Sequence, residues 1–287
     1  MIGGGLAGLA TAIGLAERGQ SVTLLEARRV GWGASGRNGG FVSAGYAQSM
    51  DKIRRRVGDN HARELFQLSR QAMTLIQQRI AKYAIHCGPI TPGLLSASWF
   101  DQGDHLAAAA AARNDWLGSH YEYWSHQRLR AALSTDRYFD GLYDPDGFTF
   151  HALNFSRGIA AAAERLGAQI FEHSAVTSVT TRGHQHKIQT ATGTVTADHV
   201  VYCCSGYLGW LKPRLAWSTI PVGTYVTVTE PLGERLKTAI RIPHGISDDR
   251  IAQDYYRPLA DTRLLWGGYV SAVTKPRNLV AKMRTSM

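Results

Sequence analysis

The sequence predicts an α/β chain in two intermixed parts, one of parallel strand–helix units and one of antiparallel strands. Three observations predict it. A glycine-rich turn opens the chain in "MIGGGLAGLA", a second strand–helix unit follows at residues 154–172, and beyond residue 213 short alternating strands take over. Residues 1–90 and 146–212 are expected to form the nucleotide part, and residues 91–145 and 213–287 the β-rich substrate part. The expected fold is therefore a discontinuous Rossmann-like domain carrying an antiparallel-β substrate domain.

The elements follow in order. Leu6 to Arg18 is small and apolar throughout and ends at Gly19, a residue suited to a helix C-cap. "SVTLLEA" (21–27) is an apolar run of strand length, fit for a buried parallel strand. A second glycine-rich segment, "GWGASGRNGG" (31–40), comes next. From Asp59 to about Tyr83, Leu65, Leu68, Ala72, Ile76 and Ile80 recur at helical spacing and predict a long amphipathic helix, which "CGPITPGLL" (87–95) breaks. The alanine-rich stretch 105–117 predicts a helix, and 118–145 an irregular segment. "NFSRGIAAAAERLG" reads as a helix closed by Gly167, with a strand at 168–172. Short strands are expected at 176–180, 187–191 and 194–198, then a buried strand in "HVVYCCSG" (199–206). Antiparallel strands complete the pattern at 219–233, 254–259 and 263–271.

Composition narrows the function classes. At 287 residues, with 44% apolar and 19% charged residues, the chain has the make-up of a globular protein. The longest apolar run, at 107–112, is too short to span a bilayer, and no signal-peptide pattern is present, so a cytoplasmic location is expected. Cys87, Cys203 and Cys204 form no C-x-x-C and no zinc-ligand spacing, so no metal is expected. The net charge of +10 comes from 32 Lys and Arg against 22 Asp and Glu, and the one tight basic cluster is "DKIRRR". No nucleic-acid-binding motif accompanies it, and solvated surface is the expected role.

The chemistry lies in the glycines. Gly3, Gly5 and Gly8 form a G-x-G-x-x-G. The first two permit a tight turn and close approach to a pyrophosphate, and the third lets helix and strand pack closely. The pyrophosphate is then met by the positive end of the following helix. Glu26, 18 residues beyond Gly8 at the end of the next strand, is placed to accept hydrogen bonds from ribose hydroxyls. Arg28 and Arg29 offer partners for a 2′-phosphate, but Glu26 would repel that group, which argues against NADP. A simple NAD site has no use for the second loop, "GASGRNGG"; an FAD site does, because backbone N–H groups there approach the ribityl chain and flavin. FAD is the expected cofactor, and an NAD(P)-linked dehydrogenase the alternative.

"GGGLAGL…LAERGQSVTLLEARRVGWGASGRNGGF" resembles the FAD-dependent oxidoreductases of the D-amino-acid oxidase and glycine oxidase type. "FHALNFSRGIAAAAERLGAQIFEHSAVTSV", "TIPVGTYVTVTEPLGE" and "DYYRPLADTRLLWGGYVS" extend the resemblance over nearly the whole chain, toward the branch that oxidises γ-glutamylputrescine-like amines. It implies oxidation of the C–N bond of a small amine or amino acid, with hydride transfer to flavin and reoxidation by dioxygen to hydrogen peroxide. It also implies that Gly3, Gly5, Gly8 and Glu26 hold the ADP half. Ser35, Arg37, Asn38, Gly39 and Gly40 would line the pyrophosphate and flavin, Val176 would meet the adenine through its backbone, and Ser205 and Gly206 would close the second strand near the cofactor. His151, which matches a frequent family histidine although Ala152 stands where relatives commonly carry proline, is a further candidate substrate residue, with a structural role as the other reading. Of Tyr255 and Tyr256, on opposite faces of one strand, Tyr256 is the expected substrate contact. A strand should precede the fingerprint turn, and the family's last glycine-rich contacts should follow "KPRNLVAKMRTSM". The expectation is a chain truncated at both ends, with a catalytically inactive remnant as a further alternative.

Overall fold

A computed structural model describes residues 1–272 together with Asn278 and Met283. The segment "KPRNLVAKMRTSM" (275–287) otherwise lies outside these residues. The fold is mixed α/β and divides into two compact units. The first comprises Met1–Asn38, Arg79–Gly88 and His151–Val222, and the second Gly39–Gln78, Pro89–Phe150 and Gly223–Met287. Residues 39–78, grouped by sequence order with the nucleotide part, fall in the second unit. The reason is that strand Phe41–Val42 pairs with Gly141–Thr149. Among the described residues, no helix is long and apolar enough to cross a membrane.

The first unit is built around parallel pairing. Strand Thr23–Leu25 pairs with Gln169–Phe171, Leu24 opposite Ile170. On its other side Ile2 bridges both Leu25 and Tyr202. The Leu25 N–H donates to the Met1 carbonyl at 2.9 Å, and the Cys203 N–H to the Ile2 carbonyl at 2.7 Å. Met1 and Ile2 thus occupy the place where the strand ahead of the turn was expected. "HVVYCCSG" differs from expectation: only Tyr202 bridges, because its partner is Ile2 alone, and Val201 is exposed.

Helix Leu6–Ala16 buries Leu9, Ala12, Ile13 and Ala16, and its small residues let helix Ala152–Arg165 pack against it. That second helix contributes Phe155, Ile159, Ala160, Ala162 and Ala163. Each large side chain removed from water here contributes about 1.5–3 kcal/mol. An antiparallel meander of Val176–Arg182, Gln185–Thr190 and Thr194–Ala197 follows, covering Ile2 and Leu25 with Ile188, Val176 and Val179.

Glu17, just past the first helix, ties that helix to residues 79–83. Its carboxylate accepts from the Tyr83 hydroxyl at 2.7 Å, Arg79 at 2.8 Å and Lys82 at 3.3 Å. The Tyr83 hydrogen bond first, then the two cations, hold its pKa down to about 2. A depressed acid stabilises above its unfolded pKa, and the contribution fades as pH falls toward the folded value. The residue is solvent-exposed, so screening limits the effect. Glu17→Gln is expected to lower stability by about 1 kcal/mol at neutral pH. Denaturant titrations should show the gap between wild type and variant closing between about pH 4.5 and pH 2.

The second unit is an eight-stranded sheet. Its order is Gly223–Val228, Leu264–Ser271, Tyr255–Pro258, Gly245–Asp248, Thr91–Ala97, Gly141–Thr149 and Phe41–Val42, with Glu122–Trp124 also pairing Gly141–Thr149. All neighbours are antiparallel except Gly245–Asp248 with Thr91–Ala97. One face packs Leu95, Trp124, Leu129, Leu133, Tyr138, Ile246, Tyr256 and Trp266 into a core. Two segments differ from expectation. "CGPITPGLL" leads into strand Thr91–Ala97, whose Gly93 (φ +85°) sits in a register shift that accommodates Pro92. The stretch read as irregular, 118–145, carries strand Glu122–Trp124, helix His126–Ala132 and the start of strand Gly141–Thr149.

Candidate dinucleotide site

Three separated segments of the first unit converge on the turn Gly3–Gly8. The glycines are required by contact. A Cβ on Gly3, where φ is +106°, would lie 2.6 Å from the Cys203 carbonyl oxygen. On Gly8 it would lie 2.0 Å from the Gly3 carbonyl oxygen, and on Gly5 2.8 Å from Ser35 Oγ. Helix Leu6–Ala16 starts at Gly5 with no side-chain cap from that residue and no acid in its first turn. Its leading N–H groups have no carbonyl partners within the helix, and its positive end carries no countercharge of its own.

Glu26 closes the first side. Oε2 accepts from the Gly4 N–H at 2.6 Å and Oε1 from the Arg28 N–H at 2.8 Å, so backbone donors fix both oxygens while each keeps a lone pair. The Ser174 N–H donates to the Glu26 carbonyl and the His173 N–H to the Arg28 carbonyl, both at 2.8 Å. Val176, two residues beyond Ser174, is half-buried at the start of its strand, beside a bulge at Thr177.

The second glycine-rich loop forms the next side. Ser35, in the short 3-10 turn Ala34–Gly36, accepts the Leu6 N–H at 2.9 Å, and the Gly31 N–H donates to the Gly4 carbonyl at 3.0 Å. Asn38 donates to the carbonyls of Ala34 and Ser35. The guanidiniums of Arg37 and Arg28 lie 4.4 and 4.9 Å from the ring centre of Trp32. On the third side, the Cys204 thiol donates to the Ile2 carbonyl, and Ser205 holds φ +48°, a strained value for a non-glycine residue. Ser205 and Gly206 are exposed in the turn that follows. Burial raises the pKa of both Cys203 and Cys204, which keeps them neutral thiols. A turn without side chains, a helix end with no acid in its first turn and a carboxylate fixed by backbone fit a dinucleotide.

Gly39 and Gly40 belong to the second unit. Gly40 has φ +74°, and a Cβ there would lie 1.9 Å from the Phe150 carbonyl oxygen. His151 is the N-cap of helix Ala152–Arg165, its Nδ1 accepting the Asn154 N–H at 3.3 Å and its own N–H donating to the Cys87 carbonyl.

Tyr256 lies in the core of the second unit, 5% exposed, its ring stacked on Trp266 and its hydroxyl donating to Tyr138. Tyr255, which the sequence-based expectation passed over, and Arg257, which it did not name, occupy the opposite face of the same strand. Tyr255 packs edge-on against Phe41, with centroids 5.6 Å apart, and burial raises its pKa. Arg257 is 7% exposed and donates to the Phe150 carbonyl at 2.9 Å and Thr149 Oγ1 at 3.3 Å. The alternation in "DYYRPL" carried the signal that Tyr255 and Arg257 share a face.

A family model described as FAD dependent oxidoreductase matches residues 1–285. The chain is 37% identical to the gamma-glutamylputrescine oxidoreductase of Escherichia coli, over 94% of this chain and 64% of that protein. It is 32% identical to the probable oxidoreductase OrdL of Haemophilus influenzae, over 100% of this chain and 67% of that protein. The chain thus spans about two thirds of the length of these relatives. In structure it is similar to glycine oxidase from Geobacillus kaustophilus, with a TM-score of 0.73 at 20% identity over 98% of this chain and 73% of that one. The nicotinamide alternative gives way to FAD.

Proposed function

Because this chain belongs to the DAO family of FAD-dependent oxidoreductases, we propose that it oxidises the C–N bond of a small amine or amino acid, with a γ-glutamylputrescine-like amine as the preferred class. The observation that carries the reading is the convergence of Gly31, Ser35 and Cys203 on the turn Gly3–Gly8, beside a carboxylate held by two backbone donors. FAD, when bound, supplies two-electron oxidation of the amine to an imine, which water hydrolyses, and reoxidation by dioxygen to hydrogen peroxide.

The chain's own residues bind and orient. The N–H groups around Gly5 and Gly8 face the pyrophosphate, and the helix end balances its charge. Glu26 accepts from the ribose hydroxyls, while the backbone of Val176 meets the adenine. Ser35, Arg37, Asn38, Ser205 and Gly206 line the cofactor. His151 serves as a helix cap. Tyr255, rather than the core residue Tyr256, takes the substrate role, because its face carries Arg257 and excludes the core aromatics. A hydride leaves only a neutral amine, so a partly desolvated surface beside Tyr255 lowers the amine's pKa.

Two measurements test this reading. FAD titration followed by fluorescence should give stoichiometric binding, and peroxide should form with γ-glutamylputrescine in preference to putrescine or glycine. Glu26→Gln sets an amide NH2 against one of the two backbone donors, and FAD affinity is expected to fall about tenfold. Unchanged affinity in that variant, or no peroxide from any amine in FAD-loaded protein, would contradict the assignment.

A further inference from the structure

Residues 207–222 of the first unit carry six large apolar side chains that face solvent: Tyr207, Trp210, Leu215, Trp217, Ile220 and Val222. Trp210 is 68% exposed, Trp217 79% and Ile220 85%. Apolar residues scattered singly over a surface need no explanation, but six within 16 residues form a patch. Trp210 and Trp217 meet edge to face, with ring centres 5.5 Å apart. Leu211 packs against the cluster of Ile2, Leu25 and Ile188, so the segment is anchored on the unit's core while its aromatic rings stay in solvent.

The patch is free of acids. From His199 to Val222 the sequence has no Asp or Glu, while Lys212 and Arg214 stand among the apolar residues. Lys212 lies over the Tyr202 ring, 5.1 Å from its centre, and among the described residues no carboxylate pairs with either cation. The hydroxyls of Ser218 and Thr219 donate back to the Leu215 carbonyl at 2.9 and 3.2 Å, so the end of the short helix Pro213–Trp217 is partly satisfied without water. Trp and Tyr have apolar rings with one polar tip, and Lys and Arg have apolar stems with charged heads. Such side chains settle at the boundary between lipid headgroups and acyl chains. A bilayer surface is fluid and yields around protruding rings, whereas a folded partner must present a hollow matched to both tryptophans. Anionic headgroups also supply the countercharge that Lys212 and Arg214 lack.

We propose that the face Tyr207–Val222 docks the protein on an anionic phospholipid surface, in the plane of the interface. Among the described residues no helix is long and apolar enough to cross a membrane, and the contact needs none. Neither the face nor its partner depends on the amine-oxidising reading, because none of these residues has a role toward cofactor or substrate.

The test uses the full chain with FAD and vesicles of phosphatidylcholine, alone or mixed with phosphatidylglycerol, read by co-sedimentation and tryptophan emission. Wild type is expected to bind the anionic vesicles about tenfold more tightly than the neutral ones, with emission shifted to the blue. That preference should vanish at about 1 M salt, where surface charges are screened. Trp217→Ser should weaken binding to anionic vesicles about tenfold, with FAD affinity unchanged within about twofold. Lys212→Gln and Arg214→Gln should each weaken it about fivefold, and they serve if the tryptophan variant does not fold. Arg55→Gln, in the basic helix Met50–Val57 of the second unit, is the control and should bind as wild type does. No binding to anionic vesicles, or equal binding by wild type, Trp217→Ser and Lys212→Gln, would overturn the proposal. A loss in Arg55→Gln as large as in Lys212→Gln would mean adsorption through net charge and would overturn it too. So would wild type that ignores vesicles but dimerises on gel filtration until Trp217→Ser is introduced, which would assign the face to a second copy of the chain.

Discussion

Gly8→Ala is expected to weaken FAD binding about 100-fold and to lower the melting temperature of the apoprotein. The added Cβ falls 2.0 Å from the Gly3 carbonyl oxygen and 3.3 Å from Cys203 Cβ. The first neighbour is backbone of the turn itself, so no side-chain rotation relieves the clash. The helix must move away from Gly3, and its N-terminal N–H groups move with it. Displacement of about 1 Å at a binding site is enough for a loss of this size. Gly14→Ala is the control in the same helix, because its Cβ meets only the ends of Arg79 and Arg18 at 3.5 and 3.6 Å. Replacing glycine by alanine in a helix interior should raise stability by about 0.5–1 kcal/mol there, with FAD affinity unchanged. Fluorescence titration and thermal melts of the two variants decide the matter.

Arg250→Met is expected to produce the largest loss of stability in the second unit, about 3–5 kcal/mol at neutral pH. Arg250 donates through Nε to Asp248 at 2.9 Å and through Nη2 to Asp254 at 2.7 Å, while its guanidinium lies 3.9 Å from the centre of the Trp99 ring. Asp248 is 1% exposed and Asp254 5%. Burial raises the pKa of Asp254 even though Arg250 opposes the shift, and the two aspartates raise that of Arg250. Removing the cation strands two buried carboxylates. Asp254, whose pKa burial already raises, then binds a proton more readily when folded than when unfolded, so the deficit should shrink as pH falls from about 7 to about 5. Denaturant titrations of wild type and variant at the two values measure it. A deficit under about 1 kcal/mol, or one that grows on acidification, would contradict this account of the cluster.

The parts of the site legible in the sequence are those fixed by local chain geometry. Gly3, Gly5 and Gly8 can be read because a turn into a helix demands small residues at that spacing, and Glu26 because it ends the next strand. The second glycine-rich loop is legible as a partner of the first, and its hydrogen bonds through Ser35 and Gly31 give the physical form. What depends on register is not legible. Whether Tyr255 or Tyr256 faces the core is set by the pairing of Tyr256 with Ile246 and Trp266, a long-range choice in which a one-residue slip reverses every side chain. The same holds for Arg257. Strand Thr91–Ala97 is hidden by Pro92 and Gly93, whose local signals favour a break while the sheet overrides them. Tyr202 shows the converse, because a strongly apolar run forms only one bridge where a single residue is available to pair.

The central claim is that this chain presents FAD to an amine, and the most direct measurement is anaerobic mixing of the FAD-loaded protein with γ-glutamylputrescine while following visible absorbance. The account predicts that the oxidised-flavin bands bleach without oxygen and return, with peroxide, when air is admitted. Flavin that stays oxidised with every amine and amino acid tried, yet bleaches on addition of a reduced nicotinamide nucleotide, would contradict it.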